Sequence, residues 1–215
     1  MSRTLLLILL AVMWLPPGTR AATTVLVVGD SLSAAYGIAQ NQGWVHLLQQ
    51  RITADGGDAR VINASISGET TSGGRTRITG LLKRHRPAIV IVELGGNDGL
   101  RGLPVADMAA NLNQIITATK QHGAQLLLLG MRLPPNYGPA YTREFQETYA
   151  RLAAKHAVAL VPFMLEGLTD DETTFQADRI HPTAAAQARI LDNVWPALHT
   201  LLNSVSQPRA ALEAR

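Results

Sequence analysis

Five short apolar runs, each followed by a segment with helical periodicity, constrain the fold of this chain more than any other feature. The runs lie at 24–28, 60–63, 88–94, 125–129 and 159–161, and the predicted helices lie at 44–52, 76–84, 108–116, 145–156 and 190–202. The run at 88–94 is apolar at nearly every position, which indicates a strand that is covered on both faces. This alternation predicts an α/β fold, in which a parallel sheet lies between layers of helices and the carboxyl ends of the strands share one edge.

The first 21 residues have the pattern of a secretory signal peptide. Arg3 precedes an apolar stretch at 5–15, and small residues lead up to Ala21, where we expect cleavage. The apolar stretch is too short to span a bilayer comfortably, so we expect no stable membrane anchor. The pattern predicts a bacterial protein exported to the periplasm or the medium. We expect one folded domain at 22–203 and a disordered tail at 204–215, where the residues are small and polar.

The charges and the cysteine count exclude other classes of protein. Without Arg3 and Arg20, 17 basic residues stand against 16 acidic ones, which gives the mature chain a net charge of +1. These charges are interspersed and form no basic stripe, so we expect no binding to nucleic acid. The chain has no cysteine, so packing alone must hold an exported protein of this kind together.

A short polar stretch, Gly29-Asp30-Ser31-Leu32-Ser33, follows directly on the first apolar run. The pattern predicts that a small hydroxyl residue stands at the carboxyl end of a buried strand, where α/β folds keep their chemistry. Ser31 is therefore a candidate nucleophile, and Asp30 is expected to accept hydrogen bonds from N–H groups of the turn. A serine needs a nearby base and donors for the oxyanion that it forms.

A carboxylate and an imidazole stand three residues apart near the end of the chain. Asp178 and His181 lie in a short turn before Pro182. A carboxylate at this spacing can fix the tautomer of the imidazole, so we expect Ser31 to attack, His181 to act as general base and Asp178 to orient His181. Two alternatives stay open at this point. Asp178 and His181 could form a surface ion pair, or they could be two ligands of a metal ion whose third ligand the sequence does not show.

Donors for an oxyanion are available in three of the turns. Gly68 can bring its N–H close to a reacting oxygen because it has no side chain, Asn97 offers a side-chain amide, and Ser31 offers its own N–H. Each stretch also has an ordinary interpretation as a helix cap or a loop. The combination, with each element at the end of a predicted strand, favours the catalytic interpretation.

These stretches together resemble the SGNH, or GDSL, hydrolases. The similarity lies in Gly29–Ser33, Asn63–Gly68, Gly95–Asp98 and Asp178–Pro182, which look like the four conserved blocks of that family. Ala64 and Ser65 differ from the most common sequence of the second block, but Gly68 is present. The resemblance implies a flavodoxin-like, three-layer α/β/α fold with a five-stranded sheet of order 2-1-3-4-5. It also implies a triad of Ser31, Asp178 and His181 and an oxyanion hole of Ser31, Gly68 and Asn97.

Two further stretches resemble a narrower branch, the bacterial periplasmic enzymes that act as acyl-CoA thioesterase, lysophospholipase and arylesterase. They are 93–102 and 132–138. By resemblance, the substrate-binding residues would be Asp98, Gly99, Leu100, Leu133 and Pro134. The expected substrates are small-molecule acyl esters and thioesters. We expect no cofactor and no metal ion, and we expect a monomer.

Two other functions remain open on the sequence. The wider family includes deacetylases of carbohydrates. A non-catalytic flavodoxin-like module could also bind phosphate or flavin through the segment 67–74, but neither G-x-x-x-x-G-K-[ST] nor G-x-G-x-x-G is present.

Overall fold

A parallel sheet of five strands forms the centre of the molecule. The computed structural model describes residues 23–169 and 171–206, so the predicted signal peptide and the tail after residue 206 lie outside the described residues. The strands are β1 (Thr24–Gly29), β2 (Arg60–Asn63), β3 (Ile89–Glu93), β4 (Gln125–Leu129) and β5 (Ala159–Val161). Their order is β2-β1-β3-β4-β5, and each neighbouring pair is parallel, which confirms the predicted fold class and strand order.

Six α-helices of residues 23–169 and 171–206 flank the sheet. They are α1 (Trp44–Ala54), α2 (Thr71–His85), α3 (Gly96–Leu100), α4 (Val105–Gln121), α5 (Pro139–His156) and α6 (Gln187–Ser206). The crossover through α1 runs from β1 toward one edge of the sheet, whereas those through α2, α4 and α5 run toward the other edge. Because such crossovers are right-handed, α1 lies on one face and α2, α4 and α5 on the other. In agreement, α1 packs with α6, while α4 packs with both α2 and α5.

The two central strands form the core of the molecule. Val25–Val28 of β1 and Ile89–Val92 of β3 are completely buried. Burial of each such aliphatic side chain contributes about 1.5–3 kcal/mol. The order of the sheet reverses at β1, because the chain passes from β1 to β2 and then returns to β3 on the other side. In open α/β sheets a ligand site forms outside the carboxyl ends of the strands at such a point.

Three boundaries differ from those predicted. Helix α2 begins at Thr71, five residues before the predicted start, because Thr70 caps it and accepts a hydrogen bond from the Gly73 N–H. The proline-rich loop contains a 3-10 turn at Pro135–Tyr137, and α5 begins at Pro139, where a missing N–H is tolerated. Helix α6 continues to Ser206, three residues beyond the predicted end of the domain at 203. Within the described ranges, no helix has the length and apolar character needed to cross a membrane.

Candidate active site

Ser31 and His181 meet at the carboxyl edge of the sheet. Ser31 follows β1 at the point where the strand order reverses, and its Oγ lies 2.9 Å from Nε2 of His181. The two residues are 150 positions apart in the chain. Ser31 is partly exposed, so a substrate can reach its hydroxyl. A hydroxyl and an imidazole at this distance can exchange a proton.

Asp178 holds His181 from the other side of the ring. Its Oδ2 lies 2.6 Å from Nδ1 of His181, and its Oδ1 accepts hydrogen bonds from the N–H groups of Ile180 and His181 at 2.9 and 3.0 Å. Partial burial works to raise the pKa of Asp178, but the hydrogen bonds from His181 and Ile180 lower it to about 2. Asp178 therefore stays ionised at neutral pH and can stabilise a protonated imidazole.

Gln176 joins the two segments that carry Ser31 and His181. Its backbone N–H donates to the His181 carbonyl at 2.8 Å, and its side-chain amide donates to the carbonyls of Tyr36 and Pro182 at 2.9 and 3.1 Å. The Tyr36 ring also lies against the His181 ring, with a centroid separation of 4.4 Å. Sequence reasoning missed both residues, since neither belongs to a motif that indicates contact with the distant segment.

The three candidate oxyanion donors follow three adjacent strands. Ser31 follows β1, Gly68 follows β2, and Asn97 is the second residue of α3, which begins three residues after β3 ends. Gly68 has a positive φ of 78°, which favours glycine, and its carbonyl accepts a hydrogen bond from Arg101. Asn97 Nδ2 donates to Asp30 Oδ2 at 2.9 Å, which fixes the direction of its amide. Asp30 Oδ1 accepts from the Leu32 N–H at 3.0 Å, which confirms Asp30 as an acceptor of the turn.

A largely apolar cavity of about 420 Å³ opens beside Ser31 and His181. Of the expected substrate-binding residues, Leu100, Leu133 and Pro134 line it. The cavity also has apolar side chains that the sequence did not indicate: Leu32, Met131, Phe163, Leu165, Phe175 and Ile180. Such a volume and lining suit a small apolar ligand, including an acyl chain.

Asp98 and Gly99 do not line this cavity, in contrast to the sequence-based expectation. Asp98 is only 3% exposed, and its two oxygens accept hydrogen bonds from the N–H and the hydroxyl of Thr71 at 2.8 and 2.6 Å. Its carboxylate therefore holds the start of α2 and is not available to a substrate. A Cβ on Gly99 would lie 2.6 Å from Leu133 Cδ2, so Gly99 supports the cavity wall from behind.

Two of the open alternatives, the metal site and the phosphate- or flavin-binding segment, find no support in these contacts. Among residues 23–169 and 171–206, no three His, Cys, Asp or Glu side chains are grouped to hold a metal ion, so the pair Asp178 and His181 has no third ligand there. In the segment 67–74, residues 71–74 belong to helix α2. A Cβ on Gly74 would lie 2.3 Å from Leu94, so this glycine serves close packing of the helix.

Comparison with known proteins gives consistent results. The model of the GDSL-like lipase/acylhydrolase family matches residues 27–189. Esterase TesA of Pseudomonas aeruginosa is 53% identical over 182 residues, which cover 85% of this chain and 90% of the relative. Thioesterase 1/protease 1/lysophospholipase L1 of Escherichia coli K12 is 42% identical over 183 residues, which cover 85% of this chain and 86% of the relative.

Solved structures agree with these relatives. The crystal structure of TesA has 52% sequence identity and a TM-score of 0.81, and the match covers 83% of this chain and 99% of that one. The psychrotrophic esterase EstA from Pseudoalteromonas sp., in a structure inhibited by monoethylphosphonate, has 39% identity and a TM-score of 0.80. That match covers 84% of this chain and 99% of EstA.

Proposed function

Because this chain belongs to the GDSL-like lipase/acylhydrolase family, we propose that it is a serine hydrolase that cleaves acyl esters and thioesters through an acyl-enzyme. The observation that carries the proposal is the 2.9 Å contact between Ser31 Oγ and His181 Nε2. The names of the relatives, esterase and thioesterase/lysophospholipase, favour aryl esters, acyl-CoA and lysophospholipids as substrates. The apolar cavity beside Ser31 favours an acyl group longer than acetyl, and hence acyl esters over acetylated carbohydrates.

In the first half of the reaction Ser31 is the nucleophile. His181 Nε2 takes the proton from Ser31 Oγ as this oxygen attacks the carbonyl carbon, while Nδ1–H donates to Asp178. The carbonyl oxygen becomes an oxyanion, which would accept hydrogen bonds from the N–H groups of Ser31 and Gly68 and from Asn97 Nδ2. The oxyanion then reforms the carbonyl as the bond from the carbonyl carbon to the leaving oxygen or sulfur breaks, and His181 gives its proton to that atom. An alcohol or thiol departs, and the acyl group stays on Ser31.

In the second half water replaces the leaving group. His181 takes a proton from a water molecule, whose oxygen attacks the acyl carbon and forms a second oxyanion in the same place. The bond from Ser31 Oγ to the acyl carbon breaks, and His181 returns its proton to Ser31. The products are a carboxylic acid and the original enzyme.

The variant Ser31→Ala tests the proposal. We expect it to keep the fold and the thermal midpoint but to lose hydrolysis of p-nitrophenyl butyrate by at least about 10³-fold, because the acyl-enzyme cannot form. Ser72→Ala, an exposed serine of α2, is the matched control and should keep wild-type turnover. Undiminished hydrolysis by a folded Ser31→Ala protein contradicts the proposal. A comparison of kcat/KM for acyl-CoA, lysophospholipid and aryl ester substrates then ranks the substrate classes.

The same proposal includes export and a monomeric state. The segment 1–21 would be removed on passage to the periplasm or the medium, which leaves a hydrolase domain that extends to the end of α6 and a short tail. Mass spectrometry of protein from the periplasmic fraction would give the mature N-terminus, which we expect at Ala22. Light scattering after size exclusion would give the mass of a single chain.

A further inference from the structure

A buried carboxyl group that the reaction does not use lies beneath the oxyanion hole. Glu93 is the last residue of β3 and is 0% exposed. We infer that Glu93 is a positioning residue: as a neutral acid it donates a hydrogen bond to the Asp30 carboxylate, and Asp30 in turn fixes the amide of Asn97 for the oxyanion. This inference rests on the proposed function, since it assigns Glu93 to the same site.

The chain is packed around the Glu93 carboxyl group. Oε2 accepts a hydrogen bond from Ser33 Oγ at 2.8 Å and from the Asp30 N–H at 3.2 Å. A Cβ on Gly29 would lie 2.8 Å from both Glu93 Oε2 and Ser33 Oγ, so only glycine leaves room for this arrangement. Glu93 is therefore joined directly to the segment that carries Ser31.

Asp30 connects Glu93 to the oxyanion donors. It is 2% exposed, and its oxygens accept hydrogen bonds from the Leu32 N–H and from Asn97 Nδ2. The Asn97 amide has two hydrogens on Nδ2. With one of them directed to Asp30, the second is held in a fixed direction and is available to an oxyanion.

The protonation of the pair follows from its burial. Burial raises the pKa of Glu93 well above its ordinary value, and the neighbouring Asp30 raises it further. Burial also raises the pKa of Asp30 to about 6, against the hydrogen bonds from Leu32, Asn97 and Glu93, which lower it. Burial and the repulsion between the two carboxylates therefore oppose ionisation of both groups, and the proton belongs on the fully buried Glu93 while the charge belongs on Asp30, which accepts from Leu32 and Asn97.

The remaining contacts of Glu93 agree with a neutral acid. In the described part of the chain no N–H or O–H group donates to Glu93 Oε1, so a negative charge on this buried oxygen would have no donor to stabilise it. Two other titratable groups act on the pair: Tyr149, which donates to the Leu94 carbonyl, and His181, whose interaction with Asp30 favours an ionised Asp30.

Two substitutions of Glu93 separate positioning from packing. Glu93→Gln keeps a neutral donor for Asp30 and an acceptor for Ser33, so we expect its kcat to stay within about threefold of wild type. Glu93→Leu keeps most of the volume but has no donor, so we expect kcat to fall by about 10- to 100-fold with little change in KM. Thermal unfolding establishes that each variant is folded.

A double-mutant cycle with Asn97→Ala gives the decisive result. Asn97→Ala alone should lower kcat by about 10²–10³. If Glu93 acts through Asn97, the double variant Glu93→Leu/Asn97→Ala should be no slower than Asn97→Ala alone, because coupled residues are not additive. Three results would each overturn the inference: losses in kcat that multiply in the double variant, a folded Glu93→Leu with wild-type kcat, and a folded Glu93→Gln as slow as Asn97→Ala. Should Glu93→Leu not fold, the same cycle is run with Glu93→Met, which also has no donor for Asp30. Wild-type turnover by Asn97→Ala would instead overturn the oxyanion role within the proposed function.

Discussion

Asp178 orients His181 from a position that is open to solvent. The Asp178 side chain is 40% exposed, whereas that of His181 is 17% exposed. The carboxylate is held by its own turn, since the N–H groups of Ile180 and His181 both donate to Oδ1 and leave Oδ2 for the ring. Arg179 within this turn has a positive φ of 58°, a conformation that non-glycine residues seldom adopt. The local geometry thus positions the carboxylate without burying it.

The variant Asp178→Asn tests this orientation. An asparagine loses the negative charge that stabilises the imidazolium and can present an N–H to Nδ1, so we expect kcat to fall by about 10²–10⁴ with little change in KM. Steady-state kinetics with a p-nitrophenyl ester would measure the loss. Asp192→Asn is the matched control, because Asp192 is an exposed residue of α6 that pairs with Arg51, and it should keep wild-type kcat. An equal effect of both substitutions would speak against an orienting role.

The sequence indicated the residues of the site better than their surroundings. Ser31, Asp178 and His181 stand in short motifs whose spacing itself carries chemistry, and the structure brings all three together. The sequence around Asp98 resembles a substrate-binding segment, but the Asp98 side chain binds Thr71, 27 positions away. The neighbours of Glu93 are even more distant: Ser33 and Asp30 lie 60 and 63 positions earlier. Contacts of this kind depend on tertiary packing, which periodicity does not report.

Helix α3 and the loop after β4 together form one wall of the cavity. Leu100 is the last residue of α3, and Leu133 follows β4 by four positions. Gly99 lies where the two segments touch, since an added Cβ would come within 2.8 Å of Leu133 Cδ1 and of Phe145 Cε2. Leu133 borders the cavity and can move, whereas Phe145 is fully buried in the core.

The variant Gly99→Ala should therefore shorten the cavity. The added methyl group displaces Leu133 toward the substrate, so we expect the ratio of kcat/KM for octanoyl over butyryl p-nitrophenyl esters to fall by about 3- to 30-fold. Hydrolysis of the two esters by wild type and variant provides the ratio. An unchanged ratio in a folded protein would mean that the acyl chain does not contact Leu133.

Gly80→Ala provides the control for that substitution. Gly80 is an exposed residue of α2, and an added Cβ there meets no atom within 4 Å. The ester ratio should stay as in wild type, while the free energy of unfolding should rise by about 0.5–1 kcal/mol, because alanine is the better helix former. Urea unfolding would measure this gain.

The whole molecule brings together turns from both ends of the chain. The parallel sheet was predictable because strand-like segments alternate with helices, and its order because the four motifs resemble one family. Helix ends were less predictable, as α2 shows, because its start depends on the Asp98 carboxylate. The same packing buries Glu93, which pairs with Gly29 at the end of β1, and Asp30, which follows it, so we expect the protonation of this pair to affect the stability of the domain.

This dependence gives a prediction for the pH profile of stability. The folded protein keeps the proton of Glu93 at pH values where the unfolded chain has released it, since burial raises the pKa of this group and an unfolded glutamate titrates near 4.3. The folded state therefore binds more protons, and its free energy of unfolding falls as the pH rises toward the folded pKa of Glu93. Above pH 6.5 Asp30, with its pKa of about 6, is largely ionised, so Glu93 is the member of the pair that still makes the free energy of unfolding depend on pH.

The variant Glu93→Gln tests this prediction, because glutamine has no proton to lose in this pH range. Urea unfolding between pH 6.5 and 8 should give a slope that is more negative for wild type than for Glu93→Gln, with the slope of one proton, about 1.4 kcal/mol per pH unit, as its limit. Parallel profiles would mean that folded Glu93 is already ionised at pH 6.5 and that the pair holds no shared proton.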